Sequence, residues 1–550
     1  MSFFNVNNPE LYIGIAFAVV NAILLCFASS KFLQIIQLSG YKISGYRVWL
    51  ADTHAKYISR LAMLSFISFS CMLITIVIFD AYLGYASYLA YIGFAFYLFF
   101  VIYFICNMYI APQKTPLKTT YRMNRLIACL FIIIAIVSFI LFWVSTTFIP
   151  MYVSYVRFSI VALTPLLLPL LVPLAHFIML GYEVLNHKKF ISWAKGKLKK
   201  YPNLIKIGIT GSVGKTSTKF ILNSILSEKY NVCMTPHSFN TPMGLTKVVL
   251  DYLKPSHEVL ITEMGAKQPG EIQVLCDIIK PKYGILTLVG SQHLATFGSL
   301  ENIARTKNEL INSLPEDGIA IFNGDNEPSL KLYEKCKIEK CLITTNESDN
   351  SFAFAKDVVL NERGITFTLC IEDKTISCKT KLIGMHNLKN ILLCSALAYK
   401  LGLSLEQIKV GISKLEPINH RLEIKKENGL IILDDSFNSS IEGSNSALEC
   451  LNMFKTGKKI IVTPGLVELG QLEKESNFNF GSKIAKVCDE VIIVNKVNKE
   501  SITEGLLSEG YSEEKISFAT NLLEAKLKLK DIAKTGDVIL FENDLPDNYT

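Results

Sequence analysis

The order of apolar and polar residues changes near residue 200 of this chain of 550 residues. Before that point, five apolar stretches are each long enough to cross a bilayer as a helix. After it, short apolar runs typical of buried strands alternate with longer runs of helical period. We therefore predict a multi-domain protein, in which an N-terminal α-helical transmembrane bundle of five spans precedes α/β domains. The predicted spans are residues 11–28, 61–79, 82–110, 126–149 and 158–180.

The same pattern divides the chain into four parts, which are residues 1–185, 186–203, 204–417 and 418–550. The first is a transmembrane domain. The second is a basic juxtamembrane linker, which suits either a helix on an anionic leaflet or a solvated connection. The third is predicted to be a doubly wound α/β domain and the fourth a separate Rossmann-like α/β domain.

Strands are predicted wherever a short apolar run lies between helical runs. In the third part these runs are 204–210, 258–262, 283–289, 318–322 and 340–344, followed by antiparallel strands within 352–383 and a helical pair at 387–401 and 405–414. In the fourth part they are 430–433, 459–463, 491–494, 516–519 and 538–541.

Charge is distributed unevenly along the chain. Residues 1–200 contain 16 Lys and Arg against 4 Asp and Glu, a net charge of +12, whereas the remainder carries −4. Fifteen of the 16 basic residues lie in the predicted loops 29–60 and 111–125 and after the fifth span, and the other is Arg157 in the short loop before that span. Because basic loops stay on the cytoplasmic side, we predict a multi-pass protein of the plasma membrane with its N-terminus outside and its α/β domains in the cytoplasm. Nucleic acid is not an expected partner, since the positive charge belongs to the membrane part.

A glycine-rich loop at 208–217 opens the third part, between an apolar strand-like run and a helix predicted over 215–226. Its glycines let backbone N–H groups turn inward, so a phosphate would meet a helix N-terminus and the ammonium group of Lys215. Ile209 stands where the usual pattern has glycine, but the order of strand, loop and helix still predicts a nucleotide-phosphate loop. The predicted nucleotide ligands are Gly211, Ser212, Gly214, Lys215, Thr216 and Ser217.

Further polar residues follow the predicted strands, where side chains of a parallel sheet face a ligand crevice. Glu263 ends the second strand and His293 follows the third, which places a carboxylate and an imidazole on the edge that carries the loop. Lys307 lies on the next predicted helix. The other candidates stand at the start of a helix or of the fourth part: Asn387, Asn390, Arg421 and Asp435.

Together these motifs resemble the Mur ligases over about residues 204–550, most closely the MurF type that adds D-alanyl-D-alanine to a peptidoglycan precursor. In order, they are the glycine loop, E-M-G-A at 263–266, H-L-x-x-F-G-S at 293–299, H-N-x-x-N at 386–390, D-D-S-F-N at 434–438 and E-L-G at 468–470. The resemblance implies an ATP-dependent ligase of cell-wall or envelope-polymer biosynthesis, with ATP and Mg²⁺ as cofactors. In such an enzyme a carboxylate becomes an acyl-phosphate, which an amine attacks to form an amide.

The resemblance also implies roles for single residues. Lys215 would neutralise the γ-phosphate, and Lys307 matches a lysine that some family members carbamylate with CO₂. Two Mg²⁺ ions would be held, the first by Thr216 and the second by Glu263 and His293. Four residues are therefore implied to be catalytic: Lys215, Glu263, His293 and Lys307.

The remaining implied roles concern ATP. Asn387 and Asn390 would meet the adenine. Arg421 and Asp435 would reach ATP from the last domain, which must close over the nucleotide. Two nearby acidic residues have other interpretations, since Asp434 would order its turn, and Glu468 would either cap a helix start or contact substrate.

Two departures from the family concern the acceptor. MurF enzymes begin with a soluble domain for the uridine-diphosphate end of the acceptor, whereas residues 1–185 are predicted spans here. The family's Y-N-A-N-P reads F-N-S-S-I at 437–441. We expect as partners the membrane, a small amine donor such as an amino acid or dipeptide, and a carboxylate acceptor linked to a lipid or a nucleotide. A polyglutamylating ligase of the folate or cyanophycin type and a non-catalytic membrane scaffold remain alternatives.

Overall fold

The computed structural model of the chain divides into two compact units, residues 1–188 and 189–550, and each is described by itself. The structure describes residues 9–51, 61–63, 65–67, 69–70, 95, 97–106, 116–148, 163–236, 238–437 and 440–544.

The first unit contains long apolar helices. Three described segments are long and apolar enough to cross a membrane: Leu11–Ala28, Tyr121–Ser145 and Thr164–Lys199. They overlap the first, fourth and fifth predicted spans. Most of the second and third predicted spans lies outside the described residues, so five spans stay a prediction. The helices are α1 (Pro9–Ala28), α2 (Ser30–Leu38), α3 (Tyr121–Phe148) and α4 (Leu168–Lys199), with a 3₁₀ turn at Thr164–Leu167.

A buried hydrogen-bond network joins the helices of this unit. Asn21 Nδ2 donates to Ser138 Oγ at 2.8 Å and to Thr164 Oγ1 at 2.9 Å, and the Tyr97 hydroxyl donates to Asn21 Oδ1 at 2.5 Å. All four side chains are at most 1 % exposed. Because a polar group in apolar surroundings costs free energy unless it is paired, the network favours this one packing of the helices.

The second unit begins with a nine-stranded sheet of order β2-β3-β1-β4-β5-β6-β7-β8-β9. Strands up to β7 pair in parallel, and β7, β8 and β9 form an antiparallel extension. The predicted strands and helical pair are confirmed, whereas the three-residue edge strand β2 was not predicted. The strands are β1 (Ile205–Thr210), β2 (Val232–Met234), β3 (Val259–Glu263), β4 (Tyr283–Leu286), β5 (Ile319–Asn323), β6 (Glu339–Ile343), β7 (Ala353–Asn361), β8 (Gly364–Ile371) and β9 (Lys374–Thr380).

Helices cover this sheet, and the helix predicted after the glycine loop has the predicted bounds. They are α5 (Lys215–Leu226), α6 (Pro242–Lys247), α7 (Glu271–Ile279), α8 (Leu294–Phe297), α9 (Leu300–Asn312), α10 (Glu327–Lys335), α11 (Met385–Lys400) and α12 (Leu405–Ser413).

A second, six-stranded sheet follows, of order β10-β11-β15-β12-β13-β14. Only β10 is antiparallel to its neighbour, β11. The sequence of β10, E-I-K-K-E, has too few apolar residues to predict a strand. Edge strands commonly carry charged side chains, which discourage pairing with another chain. The elements are β10 (Glu423–Glu427), β11 (Leu430–Asp435), α13 (Ile441–Asn452), β12 (Lys459–Thr463), α14 (Glu473–Ala485), β13 (Glu490–Val494), α15 (Lys499–Ser508), β14 (Ile516–Ala519), α16 (Leu522–Ile532) and β15 (Val538–Glu542).

The last turns of α4 belong to the second unit. Ala194 and Leu198 are buried in an apolar core that includes Leu253. Lys197 Nζ donates to the carbonyl oxygens of Leu250 at 2.9 Å and Leu253 at 2.8 Å, which satisfies backbone acceptors at the end of a helical turn. This stretch of the predicted linker is therefore a helix with one buried face and not a solvated connection.

Candidate active site

The glycine loop joins β1 to α5 through backbone angles that favour glycine. Gly211 has φ of 150° and Gly214 has φ of 86°. A Cβ at Gly211 would lie 1.9 Å from Thr287 Oγ1, so a larger residue would push the loop away from the end of β4. Gly214 is the N-cap residue of α5, and no side chain caps that helix. The N–H groups of its first turn have no partner within the helix, as a phosphate-binding N-terminus requires.

Lys215 turns back over this loop. Its Nζ donates to the carbonyl oxygens of Gly211 at 2.7 Å and Ser212 at 2.8 Å. Burial lowers the pKa of Lys215 to about 8, while Glu263 raises it and Arg421 lowers it. The ammonium group is therefore held at the centre of the loop, close to charged groups from two other parts of the chain.

The two serines of the loop are engaged with the protein. Ser212 Oγ donates to Gly290 O at 3.0 Å, and Ser212 N donates to Leu288 O at 2.8 Å. Ser217 is 8 % exposed on the inner side of α5. These bonds fix the loop against the segment after β4, and the predicted nucleotide contacts of both serines stay predictions.

Glu263 is buried at the end of β3 and accepts hydrogen bonds from three side chains. Oε2 accepts from Thr216 Oγ1 at 3.1 Å and from Lys219 Nζ at 3.2 Å, and Oε1 accepts from Asn240 Nδ2 at 3.2 Å. The predicted metal ligands Glu263 and Thr216 are thus brought together beside the loop.

Lys219 was missed by the sequence reasoning. Its side chain is 0 % exposed, and it forms an ion pair with Glu263, which is 2 % exposed. A lysine is almost never fully buried unless it is paired. The available signal was its spacing, because Lys219 lies four residues after Lys215 and therefore on the same face of the helix.

Lys307 is buried on α9, with 3 % of its surface exposed. Its Nζ lies 5.7 Å from the centroid of the Phe297 ring. Burial lowers the pKa of Lys307 to about 7, and the charge of Lys215 lowers it further. Half of the amine is then neutral near pH 7, which is the form that reacts with CO₂. Carbamylation of Lys307 stays a prediction.

The two asparagines at the start of α11 are both buried. Asn387 Nδ2 donates to Ile383 O at 2.9 Å. Asn390 lies against the loop, since a Cβ on Gly214 would be 3.0 Å from Asn390 Oδ1. The structure therefore places this helix start beside the glycine loop, while the adenine contacts stay predictions.

Arg421 lies in the C-terminal domain, two residues before β10. Its guanidinium donates to Phe437 O at 2.9 Å and lies 4.4 Å from the centroid of the Phe437 ring. Burial lowers its pKa, while the nearby carboxylates of Asp435 and Glu263 raise it. Arg421 also acts on the pKa of Lys215. Charged residues of the two ligase domains are therefore close enough to influence each other's pKa values.

The two aspartates at the end of β11 have different surroundings. Asp435 Oδ1 accepts from Leu422 N at 3.2 Å, and burial raises the pKa of Asp435 to about 6. Asp434 accepts from Lys425 Nζ and from Ser436 Oγ, both at 2.7 Å. These bonds order the turn, so the structural interpretation of Asp434 is confirmed.

His293 does not contact Glu263 directly, since no hydrogen bond or ion pair joins them among the described residues. Its Nδ1 instead lies 2.5 Å from Glu468 Oε2, and Lys267 Nζ lies 3.7 Å from Glu468 Oε1. The hydrogen bond from His293 holds the pKa of Glu468 below its ordinary value. The helix-cap interpretation of Glu468 is wrong, because α14 begins at Glu473 and has Leu472 at its N-cap.

These residues fit a nucleotide with Mg²⁺. The uncapped start of α5 supplies N–H groups for phosphates, and Glu263 with Thr216 supplies oxygen donors, the ligands that Mg²⁺ prefers. Among the described residues, no group of three or more His, Cys, Asp or Glu could hold a metal alone. Mg²⁺ commonly takes one or two protein carboxylates and completes its shell with water and substrate phosphates.

Comparison with known proteins decides the family. A model of the Mur ligase middle domain matches residues 209–398, and one of the Mur ligase, glutamate ligase domain matches residues 420–542. A UDP-N-acetylmuramoyl-tripeptide–D-alanyl-D-alanine ligase of Bacillus subtilis is 33% identical over 339 residues, which cover 61% of this chain and 72% of that protein. The chain belongs to the Mur ligase family.

Other Mur ligases agree with this assignment. The Escherichia coli protein of the same name is 29% identical over 310 residues, which cover 56% of this chain and 68% of that protein. A crystal structure of MurF ligase from Thermotoga maritima in complex with ADP has a TM-score of 0.58 at 29% identity, over 65% of this chain and 80% of that one. As a Mur ligase the protein is an ATP-dependent, Mg²⁺-requiring enzyme that forms a carbon–nitrogen bond, which confirms the enzyme class that the motifs predicted.

Proposed function

We propose that this Mur ligase has the MurF activity of its relatives on an acceptor presented at the membrane. It would join D-alanyl-D-alanine, or an amine of that kind, to the carboxylate of a peptidoglycan precursor. The observation that carries the ligase half of the proposal is the arrangement beside the glycine loop, where buried Glu263 accepts hydrogen bonds from Thr216 Oγ1 at 3.1 Å and Lys219 Nζ at 3.2 Å while the ammonium group of Lys215 lies over the loop.

Each residue of the site has a part in that reaction. ATP supplies the phosphoryl group that activates the carboxylate. Lys215 and Arg421 offset negative charge where the phosphate meets the acceptor, in surroundings that strengthen electrostatic interactions. Thr216 and Glu263 would offer oxygen atoms to Mg²⁺, and His293 would offer a nitrogen. Three further residues would position the nucleotide: Asn387, Asn390 and Asp435.

Lys307 would act as a carbamate. An unmodified lysine beside Lys215 adds positive charge, whereas a carbamate supplies a carboxylate-like oxygen that orients Mg²⁺. The low pKa of Lys307, about 7, provides neutral amine for this modification at physiological pH.

The membrane half of the proposal rests on the first unit and on α4. Three candidate spans lie in the described residues, and we place the N-terminus outside with both ligase domains, 204–417 and 418–550, in the cytoplasm. The last turns of α4 contain Ala194 and Leu198, which are buried in the ligase unit. A ligase carried on the same chain as a membrane span would meet a lipid-linked carboxylate at high effective concentration.

The proposal is tested with the full-length protein in lipid vesicles, supplied with ATP, Mg²⁺, D-alanyl-D-alanine and either a UDP-linked or a lipid-linked tripeptide acceptor. Amide product and ADP are quantified together. We expect equal amounts of ADP and amide, and faster turnover of the lipid-linked acceptor. Absence of amide with every acceptor and amine would contradict the ligase assignment, whereas equal turnover of both acceptors would contradict only the membrane half.

A further inference from the structure

His293 is held by a residue of the other ligase domain. The imidazole follows β4 in the first sheet, and the carboxylate of Glu468 follows β12 in the second. Nδ1 and Oε2 are 2.5 Å apart, although the two residues are 175 positions apart in sequence. None of the roles assigned so far uses this contact.

The main chain on both sides of the contact between His293 and Glu468 has an unusual conformation. His293 has φ of 61° and Glu468 has φ of 65°, left-handed values that are uncommon for residues other than glycine. Ala295 N donates to Glu468 O at 3.3 Å. A Cβ on Gly470 would lie 3.4 Å from Ala295 Cα. The two segments therefore meet through their main chains as well as through their side chains.

A carboxylate on one imidazole nitrogen decides what the other nitrogen can do. When Nδ1–H donates to a carboxylate, Nε2 keeps its lone pair and its orientation, as in many metal-binding histidines. The His293 side chain is 18 % exposed and that of Glu468 is 30 % exposed, so the pair is open to a ligand on one side.

We propose that Glu468 is a positioning residue, which holds the His293 imidazole through Nδ1 and so would leave Nε2 available to bind Mg²⁺. This inference rests on the proposed role of His293 as a metal ligand. Because Glu468 belongs to the C-terminal domain, the metal site is complete only when the two ligase domains are together. Lys267, 3.7 Å from the second oxygen of Glu468, keeps that carboxylate in place.

Metal binding without turnover tests the role of Glu468. Mn²⁺ is titrated into the full-length protein with a non-hydrolysable ATP analogue, and free Mn²⁺ is followed by electron paramagnetic resonance. Glu468→Ala should weaken Mn²⁺ binding about 10–100-fold. Glu468→Gln should lie between this variant and the native protein, because its amide oxygen still accepts the hydrogen bond. The matched control is Glu475→Gln, at an exposed position on α14, which should bind Mn²⁺ normally.

Two further measurements separate positioning from other roles. Affinity for the ATP analogue reports domain closure, since Arg421 and Asp435 would contact it from the C-terminal domain. Affinity for the ATP analogue should change less than twofold in Glu468→Gln. A parallel loss of Mn²⁺ affinity and nucleotide affinity would overturn the proposal, because it would show that Glu468 holds the two domains together and does not position His293. If Glu468→Ala does not fold, Glu468→Gln decides alone.

His293→Ala distinguishes this inference from the proposed function. If His293→Ala weakens Mn²⁺ binding and both Glu468 variants do not, the positioning role is wrong while the metal role of His293 stands. If His293→Ala binds Mn²⁺ normally, the metal role itself is wrong, and the inference falls with it.

Discussion

The glycine loop and the junction between the ligase domains form the site in different ways. Around the loop, Lys215 bonds to carbonyl groups three and four residues away, and Glu263 comes from the strand beside β1. At the junction, His293 and Glu468 come from separate sheets. The loop is therefore fixed by local backbone geometry and one sheet, whereas the junction exists only when two separately packed cores meet. Nucleotide binding should accordingly tolerate a substitution such as Glu468→Gln that leaves the domains closed, while metal organisation should not.

The buried pair beside the loop is predicted to give the largest effect. Lys219→Met leaves the Glu263 carboxylate buried without its cation, which should lower the free energy of unfolding by about 3–5 kcal/mol. Chemical denaturation measures this change. The matched control is Lys331→Met, whose lysine is 66% exposed and should matter by less than about 1 kcal/mol. Equal free energies of unfolding for Lys219→Met and Lys331→Met would show that the ion pair of Lys219 and Glu263 does not stabilise the protein.

Lys215→Ala should give the next largest effect. It removes positive charge needed at the transferred phosphate, and we expect at least a hundredfold loss of turnover, about 3 kcal/mol. Steady-state ADP release and amide formation measure it, with thermal unfolding as the check on folding. Near-normal turnover by the folded variant would contradict the role of the loop.

A pair of variants compares the two regions directly. Glu263→Ala, on the loop side, and His293→Ala, at the junction, should each reduce the maximal rate more than ATP affinity, by about 10–100-fold. Rate and ATP affinity are measured separately on each protein. If a variant loses ATP affinity at an unchanged maximal rate, the residue it replaces binds nucleotide and is not a metal ligand, which would contradict the metal role shared by Glu263 and His293.

The smallest effect concerns the modification of Lys307. Its pKa is lowered to about 7, so the neutral amine rises from roughly a tenth at pH 6 to nine tenths at pH 8. Carbamate formed from ¹³CO₂ should increase over this range by nuclear magnetic resonance and be absent in Lys307→Ala, whose activity small carboxylic acids should partly restore. A free ammonium group at 307 in a crystal structure with Mg²⁺ and ATP would contradict carbamylation.

The sequence predicted the parts of the fold that depend on local pattern. Buried parallel strands are continuous apolar runs, so β1, β3, β4 and β5 were found within three residues of their bounds. The edge strand β10 was missed because its charged sequence lacks that signal.

For the site, local motifs identified Lys215, Thr216 and Glu263 as neighbours. They did not reveal the pair of His293 and Glu468, because a contact over 175 residues depends on how two domains close. Nor did they reveal Lys219, whose role becomes apparent only once Glu263 is known to lie beside it.

If the Mur ligase site acts on a membrane-held acceptor, the enzyme should prefer a lipid-linked acceptor only while its membrane spans are present. The full-length protein in vesicles is compared with a shortened chain of residues 189–550, which keeps the buried end of α4. Turnover of lipid-linked acceptor is divided by turnover of UDP-linked acceptor for each. We expect a ratio well above one for the full-length protein, falling at least tenfold on shortening, while turnover of the UDP-linked acceptor is unchanged. Equal ratios for both proteins would contradict it.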